Sequence, residues 1–242
     1  MKFAKPLLFG FFIIAAVALG FIVWANSVLG PAPEAFSALR SDAQVTVSLD
    51  KFIVFQPANK KPSTALVFYP GGRVDYRSYA APLHRIAAQG YLVIILPVQL
   101  NLAILDVNAA DRAISAFPTI RHWVVGGHSL GGVAAAQYAS KHNDLDGLLL
   151  WASYPADDSL KNSKIKVLSI YGTQDLSDVK AFDDSHALLP MDTQYVVIQG
   201  GNHSQFGDYG LQPSDNEATI TRADQQKQVV DATAQFLKEL DQ

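Results

Sequence analysis

The sequence predicts an α/β protein: a mainly parallel sheet with helices on both faces, preceded by an apolar membrane-type segment. Three observations carry this. Several short runs are apolar at every position, as strands buried on both faces are, for example Ala65-Leu66-Val67-Phe68-Tyr69. These runs alternate with helical segments, the rhythm of βα units. At the centre, Trp123-Val124-Val125 leads through Gly126-Gly127-His128-Ser129-Leu130-Gly131-Gly132 into the small-residue segment Val133 to Ala139, which reads as strand, sharp turn and helix.

In chain order, Lys2 and Lys5 precede an uninterrupted apolar stretch from Leu7 to Trp24, the length a spanning helix needs. The basic residues lie before it and the next cation is Arg40, so the amino terminus is expected in the cytoplasm and the rest outside. Residues 1–25 read as a signal anchor or a cleaved signal peptide, with Val23-Trp24-Ala25 as the candidate cleavage site. The anchor is favoured because the run exceeds the apolar core of an ordinary signal peptide. The domain is then membrane-anchored and extracytoplasmic, or secreted if the segment is removed. Residues 26–44, with Gly30, Pro31 and Pro33, read as a linker, and 45–242 as one domain.

That domain opens with an alternating run, Val45 to Leu49, and an apolar one, Phe52 to Phe55, separated by an Asp-Lys turn, which predicts an antiparallel pair at a sheet edge. After the buried strand at Ala65 to Tyr69, a helix is expected over Ser78 to Gln89, stopped by Gly90. A strand at Tyr91 to Leu96 and a helix at Val107 to Ala116 follow. Beyond the central turn, strands are expected at Gly147 to Trp151, Ile165 to Tyr171 and Tyr195 to Ile198, with a helix at Val179 to Leu188. The last helix runs from Arg222 to Leu240, with Thr221 as its N-cap and Val229, Val230, Phe236, Leu237 and Leu240 as its apolar stripe.

The 242 residues are 49% hydrophobic with a formal charge of -3 and no dense basic patch, so nucleic acid is not an expected partner. There is no cysteine, which removes disulfides, thiolate nucleophiles and cysteine-bound zinc. The six histidines are scattered and form no His-Glu-x-x-His pattern, so neither a metal nor a cofactor is expected.

The chemistry concentrates at Gly127-His128-Ser129-Leu130-Gly131. This is a Gly-x-Ser-x-Gly turn, in which a serine at the apex of a strained strand-to-helix turn is held out at the strand's carboxyl end. A Cβ at Gly127 or Gly131 would press against that turn. A nucleophilic serine needs a base and an orienting carboxylate, both in loops just past strand ends. Asp175 follows the run ending Tyr171-Gly172-Thr173, and His203 follows Gln199-Gly200-Gly201, so Asp175 fits the acid and His203 the base. Asp178 is the second choice for the acid. His84, His122, His142 and His186 fall in helical segments or at the wrong ends of elements, and His128 is expected to pack around the turn. An oxyanion would be held by the Leu130 amide and by one from Pro70-Gly71-Gly72-Arg73, where Gly72 or Arg73 is the donor by position. Pocket walls are expected from Val98 to Leu102, from Trp151 and from Arg73 to Tyr76. Arg73 is read either as a recogniser of an anionic group or as a solvent-facing side chain.

Together the Ser129 turn, Asp175, His203 and the Pro70-Gly71-Gly72 loop resemble the α/β-hydrolase fold enzymes over about residues 45 to 240. The likeness is to compact bacterial serine hydrolases of the dienelactone-hydrolase-like or carboxylesterase-like sort. Ser129 departs from the cysteine of true dienelactone hydrolases, and Pro70 stands where the family often has histidine. The resemblance implies an α/β-hydrolase fold. Only Ala152 to Lys164 separates two strands where the family often inserts a cap, so no cap domain is expected. It also implies cleavage of a small-molecule acyl ester through an acyl-enzyme. Thioester, amide or acyl-transfer chemistry with the same triad, or a membrane-tethered binding protein of the same fold, are the alternatives.

Overall fold

The computed structural model describes residues 4–175, 179–213 and 215–241. Helix α1 spans Ala4–Asn26 and α2 spans Pro33–Ala38. The strands are β1 (Val45–Leu49), β2 (Ile53–Pro57), β3 (Thr64–Tyr69), β4 (Leu92–Ile95), β5 (His122–His128), β6 (Gly147–Trp151), β7 (Lys166–Gly172) and β8 (Gln194–Ile198). Between and after them lie α3 (Ala80–Ala87), α4 (Ala109–Ile114), α5 (Leu130–Ala139), α6 (Val179–Ser185) and α7 (Arg222–Leu240).

The strands form one sheet in the order β1-β2-β4-β3-β5-β6-β7-β8. β1–β2 and β2–β4 are antiparallel and all later pairs are parallel, as the edge hairpin and the buried runs predict. The unbroken apolar runs have a simple cause. Along β3, Leu66 and Phe68 face the core formed with α3 and α7, whereas Ala65, Val67 and Tyr69 face the core formed with α4 and α5. Period-two alternation between two dry faces leaves no polar position. Alanine on α5 (Ala134, Ala135, Ala136) lets that helix lie close against the sheet beside the strand that precedes it.

The carboxyl-terminal helix occupies the residues expected of it. Thr221 Oγ1 accepts from the Asp224 amide at 3.1 Å, closing its first turn. Its Val229, Phe236 and Leu237 are buried under the sheet. Two expectations need adjusting. The helix expected over Ser78 to Gln89 begins as a 3-10 turn at Tyr76–Tyr79 before α3. The linker, 26–44, is not free of regular structure: it holds α2, which starts at a proline as such helices often do. It is also joined to the domain, because the Leu29 amide donates to Arg73 O at 2.9 Å and the Arg222 guanidinium meets Glu34 at 3.0 Å.

Helix α1 presents apolar side chains to the outside from Phe9 to Trp24, and is long and apolar enough to cross a membrane. Its last residues meet the domain. Ala25 is fully buried, and its carbonyl accepts from Asn101 Nδ2 at 3.3 Å.

Candidate active site

Parallel register brings the ends of β3, β5 and β6 level, with Tyr69 beside Gly127 and His128 beside Trp151. Ser129 comes next, at φ 52° and ψ −125°, a conformation that a non-glycine residue adopts only when its surroundings enforce it. The enforcement is visible. Its amide donates to Trp151 O at 3.0 Å, and its carbonyl accepts from Gly132 N at 2.9 Å and from Ser153 Oγ at 2.7 Å. A Cβ on Gly127 would stand 2.4 Å from the Gly131 carbonyl carbon, and one on Gly131 2.3 Å from Tyr69 O, so both glycines are required by close approach. The serine is thereby left half-exposed at the mouth of a cleft of about 230 Å³.

The other two residues arrive from β7 and β8. Thr173 N donates to Ile198 O at 3.0 Å and Gln174 N to Gly201 O at 2.8 Å, stitching the two loops together. Gly172 lies so close to Gly201 that a Cβ would sit 2.1 Å from its carbonyl oxygen. This contact sets Asp175 against His203, with Oδ1 3.0 Å from Nδ1 and both side chains buried. A carboxylate only accepts, so Nδ1 carries the proton and Nε2 presents its lone pair. Among the described residues Nε2 has no hydrogen-bond partner, so no bond to Ser129 Oγ is formed in this structure. The loop is fixed from behind: Asp215 accepts from the His203 amide at 3.3 Å and the Ser204 amide at 2.8 Å, and Gln225 exchanges two bonds with the Asn202 backbone. Asp178 lies outside the described residues.

His128 is wholly buried and its ring lies 4.5 Å from that of His203. Its Nε2 faces the His203 carbonyl at 3.1 Å, which can only accept, so Nε2 donates and Nδ1 is the acceptor. The Tyr79 hydroxyl, 2.9 Å from Nδ1, therefore donates to it, and in turn accepts from the Gly71 amide at 3.0 Å. One chain of bonds thus runs from the Pro70-Gly71-Gly72 loop through Tyr79 and His128 to the backbone of His203. Burial, helped by the neighbouring His203, holds the His128 pKa well below the usual imidazole range, so the ring stays neutral. His128 packs around the turn as expected. Tyr79 was legible only as an apolar-face residue, since nothing local marks the partner of its hydroxyl.

In the same loop the Gly71 amide is engaged by Tyr79, and the Arg73 amide donates to Asn101 O at 2.8 Å. Among the described residues the amides of Gly72 and Leu130 donate to no protein acceptor, and both residues line the cleft with Ser129.

Two expected pocket residues need correction. Trp151 is not a wall: it is fully buried, packed on Phe68 with ring centroids 4.7 Å apart, and its Nε1 donates to Thr233 Oγ1 at 3.3 Å. As the last residue of β6 its side chain turns into the core face of the sheet. Arg73 borders the cleft, and part of its guanidinium is engaged by backbone rather than turned to solvent. Its Nε donates to Trp24 O at 2.9 Å, its Nη2 to Ser27 O at 2.8 Å, and its guanidinium lies 4.6 Å from the Trp24 ring centre. It caps the carbonyl end of α1, where a cation is favoured. Leu102 does line the cleft, and so do Trp24 and Gln212, which sequence reasoning missed. Trp24 read as the end of an apolar run, and no pattern marks Gln212.

A larger cleft of about 350 Å³ opens near the His203 loop, lined by residues including Asn202, Ser204 and Arg222. Ser204 there is held by Asp215 and sits in no strained turn, so the smaller cleft is the one with a poised hydroxyl.

The sequence profile of the alpha/beta hydrolase family matches residues 65–227. No curated protein matches this chain. Among solved structures, a predicted CIB-like hydrolase from Thermoplasma acidophilum is similar with a TM-score of 0.56 at 14% identity, over 81% of this chain and 98% of that one. A thermophilic esterase from the Planctomycetes species Thermogutta terrifontis, with butyrate bound, gives a TM-score of 0.56 at 15% identity, over 82% of this chain and 95% of its own. The profile match, spanning most of the chain and including the Ser129 turn, Asp175 and His203, makes this protein a member of the alpha/beta hydrolase family.

Proposed function

We propose that this protein is a serine hydrolase that cleaves carboxylic esters, with Ser129 as nucleophile, His203 as base and Asp175 as the group that orients it. The observation that carries the reading is the buried Asp175–His203 pair, 3.0 Å apart, whose histidine ring lies 4.5 Å from that of His128 in the serine turn. With Nδ1 protonated and held by Asp175, His203 Nε2 takes the proton from Ser129 Oγ as that oxygen bonds to the ester carbonyl carbon. The carbonyl oxygen becomes an oxyanion, held by the uncommitted amides of Leu130 and Gly72. Collapse breaks the bond to the leaving oxygen, which takes the proton from His203. Water then attacks the acyl-enzyme by the same route and releases the acid.

The similarity to an esterase crystallised with butyrate agrees with this substrate class. A fluorophosphonate probe tests the reading. The full chain in detergent is expected to be labelled, and Ser129→Ala or His203→Ala to abolish labelling, with Ser129→Ala lowering ester kcat by about 10⁴- to 10⁶-fold. A folded protein that takes no label, or a Ser129→Ala variant that keeps its turnover, would favour a binding protein of this fold.

A further inference from the structure

The cleft is built partly from the apolar helix. Trp24, at the carboxyl end of α1, lines the same space as Ser129, Leu130 and Gly72. The helix is moored there by Arg73, whose Nε and Nη2 hold the Trp24 and Ser27 carbonyls, and by Asn101, which reaches the Ala25 carbonyl. Upstream of this mooring, among the described side chains, Phe9, Ile14 and Val17 are each about two-thirds exposed. Twenty-three residues at about 1.5 Å each give roughly 35 Å, enough to cross the hydrocarbon of a bilayer. A helix that spans the membrane with Trp24 at its outer end puts the indole at the lipid–water boundary, where tryptophan is enriched. The mouth of the cleft, sharing that indole, then opens at the same boundary.

The surface beside the mouth agrees. Ile104 and Leu105 follow Leu102, Leu211 precedes Gln212, and all three are 44 to 53% exposed. Among the described residues outside α1 only Phe36, Leu49 and Met191 are large, apolar and as open. The cleft, of about 230 Å³, is open at its mouth, so a chain whose carbonyl sits beside Ser129 can lead out past Trp24. An ester drawn fully into water would expose its chain at about 0.8 kcal/mol per methylene. One that tips its carbonyl into a cleft at the boundary avoids that cost.

From the shared Trp24 wall, the mooring by Arg73 and Asn101 and the apolar rim, we infer that the substrate is a long-chain acyl ester resident in the bilayer. It enters the cleft sideways past Trp24 while its tail stays among the lipids. The inference rests on the serine hydrolase reading and names the substrate of that site.

The test uses the full chain reconstituted in phosphatidylcholine vesicles, with methylumbelliferyl palmitate as the bilayer-borne ester and methylumbelliferyl butyrate as the soluble one. Palmitate turnover is expected to fall in proportion as added phosphatidylcholine dilutes the ester, while butyrate turnover stays constant. Because the chain has no cysteine, Ile104→Cys, Leu211→Cys and Lys164→Cys can each carry one bimane label. Lys164 is exposed at the opposite end of the sheet. Doxyl-lipid quenching is expected at 104 and 211 but not at 164. The paired substitution Ile104→Asp and Leu211→Asp should lower the palmitate-to-butyrate ratio about fivefold. Butyrate turnover with no palmitate turnover, or labels at 104 and 211 as unquenched as at 164, would overturn the inference and leave the ester hydrolase standing. Loss of both turnovers would fall on the hydrolase reading itself and remove the inference with it.

Discussion

Tyr79→Phe removes one oxygen from the centre of the site's hydrogen-bond chain. The ring stays, with its packing against Phe68 at 5.2 Å between centroids, so the change isolates the hydroxyl. Two groups lose their partner: the buried Gly71 amide at 3.0 Å and His128 Nδ1 at 2.9 Å. An unmet buried donor or acceptor costs about 1–3 kcal/mol, and losing the hydroxyl's own desolvation returns about 1, so for the two groups a net loss of roughly 1–5 kcal/mol is expected. With a urea m-value of about 2 kcal/mol/M, the unfolding midpoint should drop by roughly 0.5–2.5 M at unchanged m. The assay is urea unfolding of the full chain in a non-ionic detergent, followed by tryptophan fluorescence, since Trp151 and Trp123 lie in the domain. Turnover should fall too, because Gly71 steadies the amide of Gly72 beside it. A midpoint within about 0.3 M of wild type would refute the assigned bond directions and the positioning role built on them.

Asp175→Asn, whose amide can donate to His203 Nδ1 and so favour the wrong tautomer, should lower ester kcat by about 10⁴-fold while leaving the unfolding midpoint within about 1 M; an active variant would remove Asp175 from the orienting role. His128 is held neutral when folded, so its stabilising share is complete above the unfolded pKa of about 6.5 and is lost as pH falls below it, by up to about 1.4 kcal/mol per pH unit. His128→Asn should flatten that acidic limb, leaving the contribution of His84, whose pKa partial burial also lowers; an unchanged slope in urea unfolding from pH 7 to 5 would contradict the buried neutral ring. Thr221→Ala should cost about 1 kcal/mol through loss of the α7 cap, read as a midpoint shift, and should leave turnover intact.

The positions of the candidate site residues that follow local rules are readable in the sequence. Ser129 is announced by its glycines, because a strained turn excludes a Cβ within a few residues of itself. Asp175 and His203 are announced by strand ends, because a parallel sheet brings its carboxyl ends to one side. Helix α7 is readable to the residue from its cap and its apolar stripe. What was not readable depends on distant pairing. Tyr79 and His128 are 49 positions apart, and an apolar-face tyrosine looks the same whether its hydroxyl has a partner or not. Trp151 was misplaced because strand residues alternate between faces, and the face is set by the neighbours rather than by the run. Arg73 and Trp24 gave no hint of each other. Their contact joins a segment that looks like a membrane span to a loop that looks like part of a catalytic site.

That junction also bears on when the segment could be cut, were it a signal peptide. The candidate cleavage site ends at Ala25, whose side chain is enclosed by the folded domain and whose carbonyl is held by Asn101. A peptidase must draw the chain out straight around the bond it cuts, and a docked Ala25 offers no such length. Scission there belongs to the interval before the domain closes over it. Were the segment a signal peptide cut at Ala25, its fate would be a race between a peptidase and folding, and a mutation that slows folding, even one far from residue 25, would shift the proportion of cut to uncut molecules.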